Sequence, residues 1–158
     1  MPDLTESTVV IDALPGTVVG VIADFETYPE WAREVQRVEV LSHEGDGWAD
    51  RVRFEMNAGI LKDTYVLDYA WEIGNAGVGS MSWEMVESKA LRALSGSYEI
   101  VEHDRGTLLT YRLTVVPQVP MLGALRRKAE KMIVATALTA LQKRAVQVHT
   151  LRQSGESE

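Results

Sequence analysis

The chain of 158 residues contains no cysteine, which excludes disulfide bonds, thiolate metal sites and a cysteine nucleophile. It also lacks any apolar run near the roughly 18 residues that a membrane-spanning helix needs. Positive charge is scarce, since 16 basic residues against 23 acidic ones leave a net charge of −7. Nucleic-acid binding relies on basic patches that neutralise phosphates, so we do not expect it here. The acidic, polar start of the chain has no signal-peptide pattern, and we expect a cytoplasmic protein.

Recognisable catalytic and metal-binding motifs are also missing from the sequence. The three histidines, His43, His103 and His149, are far apart and have no metal-ligand spacing. No glycine-rich phosphate loop, nucleophile elbow or Ser/His/Asp arrangement is visible. We therefore predict no catalytic residue, no metal site and no cofactor. Asp50 stays an open candidate, because strand alternation could place it on the inner face near a strand end.

Two segments of the chain alternate large apolar side chains with polar ones. The large residues are Tyr65, Leu67, Tyr69 and Trp71 in the first segment, and Met81, Trp83 and Met85 in the second. A period of two is that of a β-strand with one buried face. Two neighbouring strands of this kind would form a wall of aromatic rings and thioethers, with a solvated face behind it.

The remaining pattern predicts a single domain of the α+β class. Alternating and β-branched segments predict seven strands, at residues 8–11, 38–40, 52–56, 64–73, 80–86, 94–100 and 109–115. Two short helices follow the first strand, and apolar spacing of three and four without proline predicts one long helix from residue 121 to about residue 151. We expect a curved antiparallel sheet around this C-terminal helix, a domain at residues 1–152 and a disordered tail at residues 153–158.

The apolar face of such a sheet must be buried, and the long helix is the only element large enough to cover it. A sheet wrapped around one helix often cannot fill its concavity, and the gap becomes a pocket of several hundred Å³. Tyrosines that share the inward position either pack in a core or hold a ligand with their hydroxyls, and we favour the second reading. The predicted ligand-lining residues are Tyr65, Leu67, Tyr69, Trp71, Met81, Trp83, Tyr98, Tyr111, Leu113, Met132 and Leu138.

Several segments together carry a resemblance to a known family. They are the opening strand with residues 13–15, the stretch DFETYPEW at residues 24–31, the turn EGDG at residues 44–47, and the final strand with the long helix. The chain resembles the polyketide cyclase/dehydrase branch of the START-like superfamily (SRPBCC, Bet v 1-like), from roughly Ser7 to Leu151. The resemblance implies a helix-grip fold with a deep cavity between sheet and helix, suited to lipids, polyketides, isoprenoids or quinones.

The same resemblance implies two uses for that cavity, binding and catalysis. Aromatase/cyclase members carry a tyrosine, an arginine and a glutamine at positions that fall at Val35, Tyr69 and Leu113 here. Because these polar roles are replaced, we expect binding or transport of a hydrophobic small molecule such as a lipid, polyketide or isoprenoid. The alternative is a polyketide aromatase/cyclase or dehydratase acting in the same cavity, and a third possibility is a partner-binding module with a vestigial pocket.

Three predicted connections lie at one end of such a fold and are rich in apolar residues, at residues 57–61, 88–91 and 117–122. Basic residues flank them, namely Lys62, Lys89, Arg92, Arg126 and Arg127. An apolar surface with a basic rim suits transient contact with an anionic membrane or an acidic carrier protein. The alternative is that these loops simply close over the core.

Overall fold

The computed structural model describes residues 5–45, 47–57, 62–118 and 123–156, with side chains as far as residue 151. Its strands are β1 (Thr5–Ile11), β2 (Val35–His43), β3 (Ala49–Asn57), β4 (Lys62–Ile73), β5 (Gly79–Ser88), β6 (Leu91–His103) and β7 (Gly106–Pro117). Its helices are α1 (Pro15–Ala23), a short 3₁₀ helix (Phe25–Thr27), α2 (Tyr28–Trp31) and α3 (Gly123–Glu156). This order confirms the α+β class, the seven strands and the short helices after the first strand.

The C-terminal end of α3 differs from the sequence expectation. The helical backbone continues to Glu156, whereas the sequence predicts a disordered tail from residue 153. No proline occurs after Pro120, so no residue there is incompatible with a continuing helix. Residues 157–158 lie outside the described residues, as do the apolar loop segments 58–61 and 119–122.

All neighbouring strands pair antiparallel in one sheet of order β1-β7-β6-β5-β4-β3-β2. Strands β2 to β7 follow chain order as a meander, whereas β1 pairs with β7, with Thr5 opposite Leu113 and Ile11 opposite Thr107. The segment with α1 and α2 therefore carries the chain from one edge of the sheet to the other. This is the curved sheet of the helix-grip fold that the sequence predicts.

The two faces of the sheet follow the predicted alternation. On the inner face of β4 and β5, Tyr69, Met81 and Trp83 are buried. The outer face carries ion pairs between strands, such as Arg51 Nε to Asp68 Oδ1 at 2.7 Å. The large side chains are therefore gathered on one side of the sheet, and the charges lie on the other.

Helix α3 covers only part of the inner face. It packs against β1, β7, α1 and α2. Its buried positions recur at spacings of four and three, and they are Glu130, Val134, Leu138, Leu141 and Ala145. The central strands β4, β5 and β6 thus direct their inner face toward the interior between sheet and helix.

Met132 does not belong to this buried side, so its predicted place opposite the sheet is wrong. It is 62% exposed. It lies two positions from both Glu130 and Val134, and each position turns a helix by about 100°, so it lies on the opposite side of α3. The apolar character of methionine suggested the inner face, which at this level is occupied by the carboxylate of Glu130 instead.

Candidate functional site

All eleven aromatic residues of the chain belong to one connected network of ring contacts. Ring centroids in the network are 4.6 Å to 6.2 Å apart, the range of attractive aromatic pairs. The members are Phe25, Tyr28, Trp31, Trp48, Phe54, Tyr65, Tyr69, Trp71, Trp83, Tyr98 and Tyr111. The network lines the inner face from β3 to β7 and reaches the short helices, so the predicted aromatic wall exists.

Trp83 lies near the centre of the wall because a glycine makes room for it. Trp83 is opposite Gly96 in the β5–β6 register, and a Cβ added to Gly96 would lie 2.5 Å from Cζ2 of the indole. The indole therefore lies across the backbone of β6. From there it contacts the rings of Tyr98 and Tyr111, with centroids 5.3 Å and 5.8 Å away.

Trp71 marks the end of the wall near the β2–β3 hairpin. Its ring stacks on that of Trp48 at 4.6 Å, with 14° between the planes. Its Nε1 donates a hydrogen bond to the carbonyl of Ala49 at 2.7 Å. Trp71 is half-buried, so one part of its ring holds the hairpin and another borders the interior.

The tyrosine hydroxyls divide into one that has a protein partner and four that do not. The hydroxyl of Tyr28 donates to the carbonyl of Ile22. Among the described residues, no hydrogen-bond partner is present for the remaining hydroxyls, which are those of Tyr65, Tyr69, Tyr98 and Tyr111. Buried polar groups in proteins are nearly always hydrogen-bonded, to protein or to ordered water. The four hydroxyls are not among the enclosed polar atoms that lack a partner, so each borders space that water or a ligand can occupy.

The tyrosine hydroxyls lie close enough to influence each other electrostatically. Burial is the main cause that raises the pKa of Tyr69 well above its usual value, and the hydroxyls of neighbouring tyrosines raise it further. Burial likewise raises the pKa of the other four, Tyr28, Tyr65, Tyr98 and Tyr111. All five therefore stay protonated at neutral pH and act as uncharged hydrogen-bond donors.

Buried charge in the described residues is limited to two carboxylates, Asp63 and Glu130. Asp63 accepts hydrogen bonds from Ser88 Oγ and from the backbone N–H of Lys89 at 3.1 Å, so it caps the β5–β6 turn. Glu130 accepts from the backbone N–H of Val115 at 2.9 Å. No lysine, arginine or histidine in the described part of the chain is buried. Arg126 of α3 is half-buried with an enclosed Nε, but it already has an interaction partner. The interior thus offers neutral donors and no free buried cation among the described residues.

The sequence reasoning identified neither carboxylate. Asp63 could have been recognised as a structural acid from its position at the start of a strand. Glu130 could have been recognised from its spacing, because it lies four residues before Val134 on the apolar side of the helix. An acid at such an inner position indicates a hydrogen-bond acceptor, and here it binds β7 just beyond the end of β1.

The other predicted lining residues lie on the inner side. The buried ones are Leu67, Tyr69, Met81, Trp83, Tyr111, Leu113 and Leu138. The half-buried ones, in ring contact with the network, are Tyr65, Trp71 and Tyr98. Val35 and Leu113, two of the positions matched to polar cyclase residues, are 8% and 2% exposed. The predicted cavity between this wall and α3 stays a prediction.

Asp50 does not face this interior. The β2–β3 register shifts from Arg51 opposite Ser42 to Ala49 opposite His43, which leaves Asp50 as the extra residue of a β-bulge. Its carboxylate accepts a hydrogen bond from Ser42 Oγ at 3.1 Å. Asp50 also lines a depression on the outer face together with Asp68. The bulge reverses the alternation that could have turned Asp50 inward.

The outer face has two adjoining depressions of about 550 Å³ and 460 Å³. Small residues such as Ser82 and Ser97 form their floor, and Arg112 lies beside both. Arg112 pairs with Glu6 at 2.6 Å and with Glu99 at 3.0 Å, so its charge is already matched. These depressions lie across the sheet from the tyrosines, and we take the inner face as the candidate site.

No group of three or more His, Asp or Glu side chains among the described residues could hold a metal ion. No helix in the described part of the chain is long and apolar enough to cross a membrane.

Comparison with known proteins agrees with this architecture. The family described as "Polyketide cyclase / dehydrase and lipid transport" matches residues 3–148. No curated protein matches the chain significantly.

Solved structures show the same fold at low sequence identity. A START superfamily protein from Mycobacterium smegmatis is 20% identical, with a TM-score of 0.84 over 92% of this chain and 98% of that one. The Zhui aromatase/cyclase from Streptomyces sp. R1128 is 18% identical, with a TM-score of 0.75 over 93% of this chain and 95% of that one. A protein from Thermus thermophilus is 22% identical, with a TM-score of 0.76 over 92% and 99% of the two chains.

Proposed function

We propose, from the premise that the chain belongs to the polyketide cyclase/dehydrase and lipid transport family, that it binds a hydrophobic small molecule between the aromatic wall and α3. The observation that carries the proposal is the set of four tyrosine hydroxyls without a protein partner, held within one network of rings. A dry core is built mainly from Leu, Ile and Val and leaves few polar groups unsatisfied. An interior with spare donors on an aromatic surface is instead suited to a ligand.

The rings favour a molecule with a large apolar surface. Aromatic side chains bury more area than other residues and stack on flat ligands at 4.5 to 7 Å between centroids, as they do on each other here. Tyr69 and Trp83 belong to the middle of the inner face, with ring centroids 6.1 Å apart. A flat or branched hydrocarbon skeleton would replace the water that otherwise contacts these rings, which is favourable.

Binding fits the described interior better than catalysis does. General acid–base chemistry needs a group whose pKa lies near the working pH. The raised pKa values of the tyrosines keep them neutral, and Asp63 is engaged with the β5–β6 turn. Val35 and Leu113 are aliphatic where the cyclase relatives carry polar groups.

The alternative function, polyketide cyclisation, would use the tyrosines as neutral donors that polarise a carbonyl. Reconstitution with a polyketide synthase tests it. A new aromatic product that is lost in Tyr69→Phe or Tyr98→Phe, while the variants stay folded, would replace the binding proposal with the catalytic one. An unchanged product mixture is the expected result.

Titration with N-phenyl-1-naphthylamine, an uncharged fluorescent probe, tests binding at the inner face. We expect saturable fluorescence enhancement with wild-type protein, and a weaker affinity in Trp71→Ala that exceeds what its loss of stability explains. The matched control is Ser97→Gln, which narrows the outer depression and should leave the affinity unchanged. Loss of binding in Ser97→Gln with none in Trp71→Ala would assign the probe to the outer face. Native mass spectrometry of protein from its own host would then identify the bound molecule.

We further propose that the ligand enters at the end of the sheet where the β5–β6 turn lies, and that this end contacts an anionic lipid membrane. The described flanks of the three connections do meet there. Asp63 binds the turn, and the backbone N–H of Gln118 donates to the carbonyl of Ala90 at 3.1 Å. The first turns of α3 add two exposed apolar side chains, Leu125 at 54% and Met132 at 62%.

Charge favours a membrane as the partner of this end. Exposed cations surround it, namely Lys62, Lys89, Arg92, Lys128 and Lys131, although the chain as a whole has a net charge of −7. Apolar side chains flanked by lysines are the usual features of a surface that docks on anionic lipid. Met132, which the sequence analysis placed inside, would then insert at the lipid surface.

Co-sedimentation with vesicles of phosphatidylcholine, with and without phosphatidylglycerol, tests the contact. We expect binding only with the anionic lipid, and a loss of binding in Met132→Glu. Val101→Glu is the matched control, because Val101 is an exposed apolar residue at the other end of β6. Equal effects of the two substitutions, or no dependence on anionic lipid, would contradict the membrane proposal and leave the internal site unaffected.

A further inference from the structure

We propose that the polar group of the ligand inside this protein is an uncharged hydrogen-bond acceptor, such as a ketone, quinone or ester oxygen, and that carboxylates are rejected. The inference rests on the proposed binding function and concerns which molecules the interior selects. It follows from the donors that the inner face presents and from the charges that it lacks.

The inner face presents hydrogen-bond donors that have no acceptor in the described part of the protein. A phenol hydroxyl has one hydrogen to donate, and that hydrogen needs an acceptor when the group is removed from water. The backbone carbonyls of neighbouring strands are occupied by the sheet. Four hydroxyls therefore hold hydrogens for which the described interior provides no acceptor. A carbonyl oxygen has two lone pairs and no hydrogen, so it matches them.

The tyrosines are also placed to act together. Tyr98 and Tyr111 are directly opposite each other in the β6–β7 register, and their ring centroids are 4.7 Å apart. Neighbouring rings of this kind place two donors on the same part of the inner face. Tyr65 and Tyr69 lie four residues apart on β4, which is about 13 Å along a strand. Oxygens at more than one position of a ligand can thus be bound.

The charged side chains of the interior disfavour an anionic ligand. The charged residues that are buried as a whole in the described part of the chain are Asp63 and Glu130, both acids. The half-buried Arg126, whose Nε is enclosed, lies one helical turn before Glu130 and already has an interaction partner, so it is not a free cation. A carboxylate brought into this interior would lose its hydration without a positive partner, and buried unpaired charges are strongly unfavourable. Arg112 of β7 belongs to the outer face and is paired there with two glutamates.

A matched set of three-ring compounds separates these possibilities. Fluorene has no oxygen, fluoren-9-one has one carbonyl, and fluorene-9-carboxylate has an anion on the same skeleton. Each would be measured by displacement of N-phenyl-1-naphthylamine from the full chain at neutral pH. We expect fluorenone to bind about 3- to 10-fold more tightly than fluorene, the size of one or two neutral hydrogen bonds. We expect the carboxylate to bind at least about 10-fold more weakly than fluorenone.

Single Tyr→Phe variants identify the donors. At least one of Tyr65→Phe, Tyr69→Phe, Tyr98→Phe and Tyr111→Phe should weaken fluorenone binding about 3-fold or more while fluorene binding stays the same. Tyr28→Phe is the matched control, since the hydroxyl of Tyr28 is already bound to the carbonyl of Ile22. Its ratio of fluorenone to fluorene affinity should equal that of the wild type.

The results of these titrations separate the inference of a neutral acceptor from the proposed binding function on which it rests. If fluorene and fluorenone bind equally, if the carboxylate binds most tightly, or if all four variants keep the wild-type ratio, the acceptor inference is wrong and the apolar site remains. If no compound displaces the probe and the probe itself does not bind, the binding function fails, and the inference fails with it.

Discussion

The two ends of the protein interior differ in composition and in hydrogen bonding. At one end, α1 and the second half of α3 pack on β1 and β7 with aliphatic residues, of which Ile11, Leu109 and Ala145 are fully buried. Polar groups there are satisfied, as in the 2.7 Å hydrogen bond from Thr107 Oγ1 to the carbonyl of Ala13. At the other end, aromatic residues of β3 to β7 line the interior, and four tyrosine hydroxyls have no partner among the described residues.

Under the proposed function, this difference separates stability from ligand binding within one sheet. The aliphatic end is a closed core, in which each side chain is surrounded by others. The aromatic end combines polar and apolar surface, which is the combination that the proposed binding requires. We call these two regions the closed end and the aromatic end, and each prediction below tests whether they differ as the structure indicates.

The largest expected effect is alkaline unfolding driven by the aromatic end. All five tyrosines of the chain lie in the interior, and burial raises the pKa of each. In unfolded chains the pKa is about 10. Folded-state values above that mean that stability is fully present below about pH 10 and is lost as pH rises further toward the folded-state pKa values.

Ultraviolet absorbance of tyrosinate and circular dichroism, recorded on the same samples, check this effect. We expect no tyrosinate in the folded protein at about pH 10, where half of the tyrosines ionise in a urea-unfolded control. Ionisation should then coincide with loss of the circular dichroism signal. Tyrosinate that appears at about pH 10 in a protein that is still folded would mean that the aromatic end is open to bulk water.

A matched pair of leucines on β7 compares the two ends directly. Leu109 is in the closed end and Leu113 is in the aromatic end, and both are on the inner face, at 0% and 2% exposed. Leu109→Ala should lower the free energy of unfolding by about 2 to 5 kcal/mol, because a cavity is left in a packed core. Leu113→Ala should cost less, because the proposed ligand space forms part of its surroundings. Urea denaturation measures both, and equal losses would mean that the aromatic end is packed as tightly as the closed end.

Gly96 tests the packing of the aromatic wall itself. Gly96→Ala places a Cβ 2.5 Å from the indole of Trp83 and 2.5 Å from the backbone oxygen of Arg112, so we expect a loss of about 1 to 3 kcal/mol. Near-ultraviolet circular dichroism should change as the indole moves. Gly20→Ala is the control, since no atom lies within 4 Å of an added Cβ there, and a helical alanine should stabilise α1. A neutral Gly96→Ala would mean that Trp83 is free to move.

The sequence predicts the wall well because strand alternation has an exact period of two. Tyr69 and Trp83 keep the inward position that this period assigns to them. It predicts local exceptions poorly, since one extra residue reverses the alternation. Asp50 occupies such a bulge, and nothing in its neighbourhood distinguishes the bulge from a regular strand.

Helix orientation and hydroxyl convergence depend on contacts that the sequence does not specify. The apolar positions of α3 include Met132 as well as Val134 and Leu138, and the bond from Glu130 to β7 belongs to the orientation that places Met132 outside. The meeting of Tyr98 and Tyr111 depends on the β6–β7 register and on the curvature of the sheet. Alternation could show that both residues point inward, but not that their hydroxyls lack partners.

The smallest expected effect, and the most specific one, is the difference between two tyrosines of the same ring network. Tyr28→Phe removes a hydroxyl that binds the carbonyl of Ile22, one of the last carbonyls of α1 and without an intrahelical partner. It should lower the free energy of unfolding by about 1 kcal/mol. Tyr98→Phe removes a hydroxyl with no protein partner, so the unliganded protein should change by less than about 0.5 kcal/mol, or gain stability. Urea denaturation of both variants measures the difference. An equal loss in Tyr98→Phe would show that its hydroxyl already has a structural partner, which removes it from the set of groups that await a ligand.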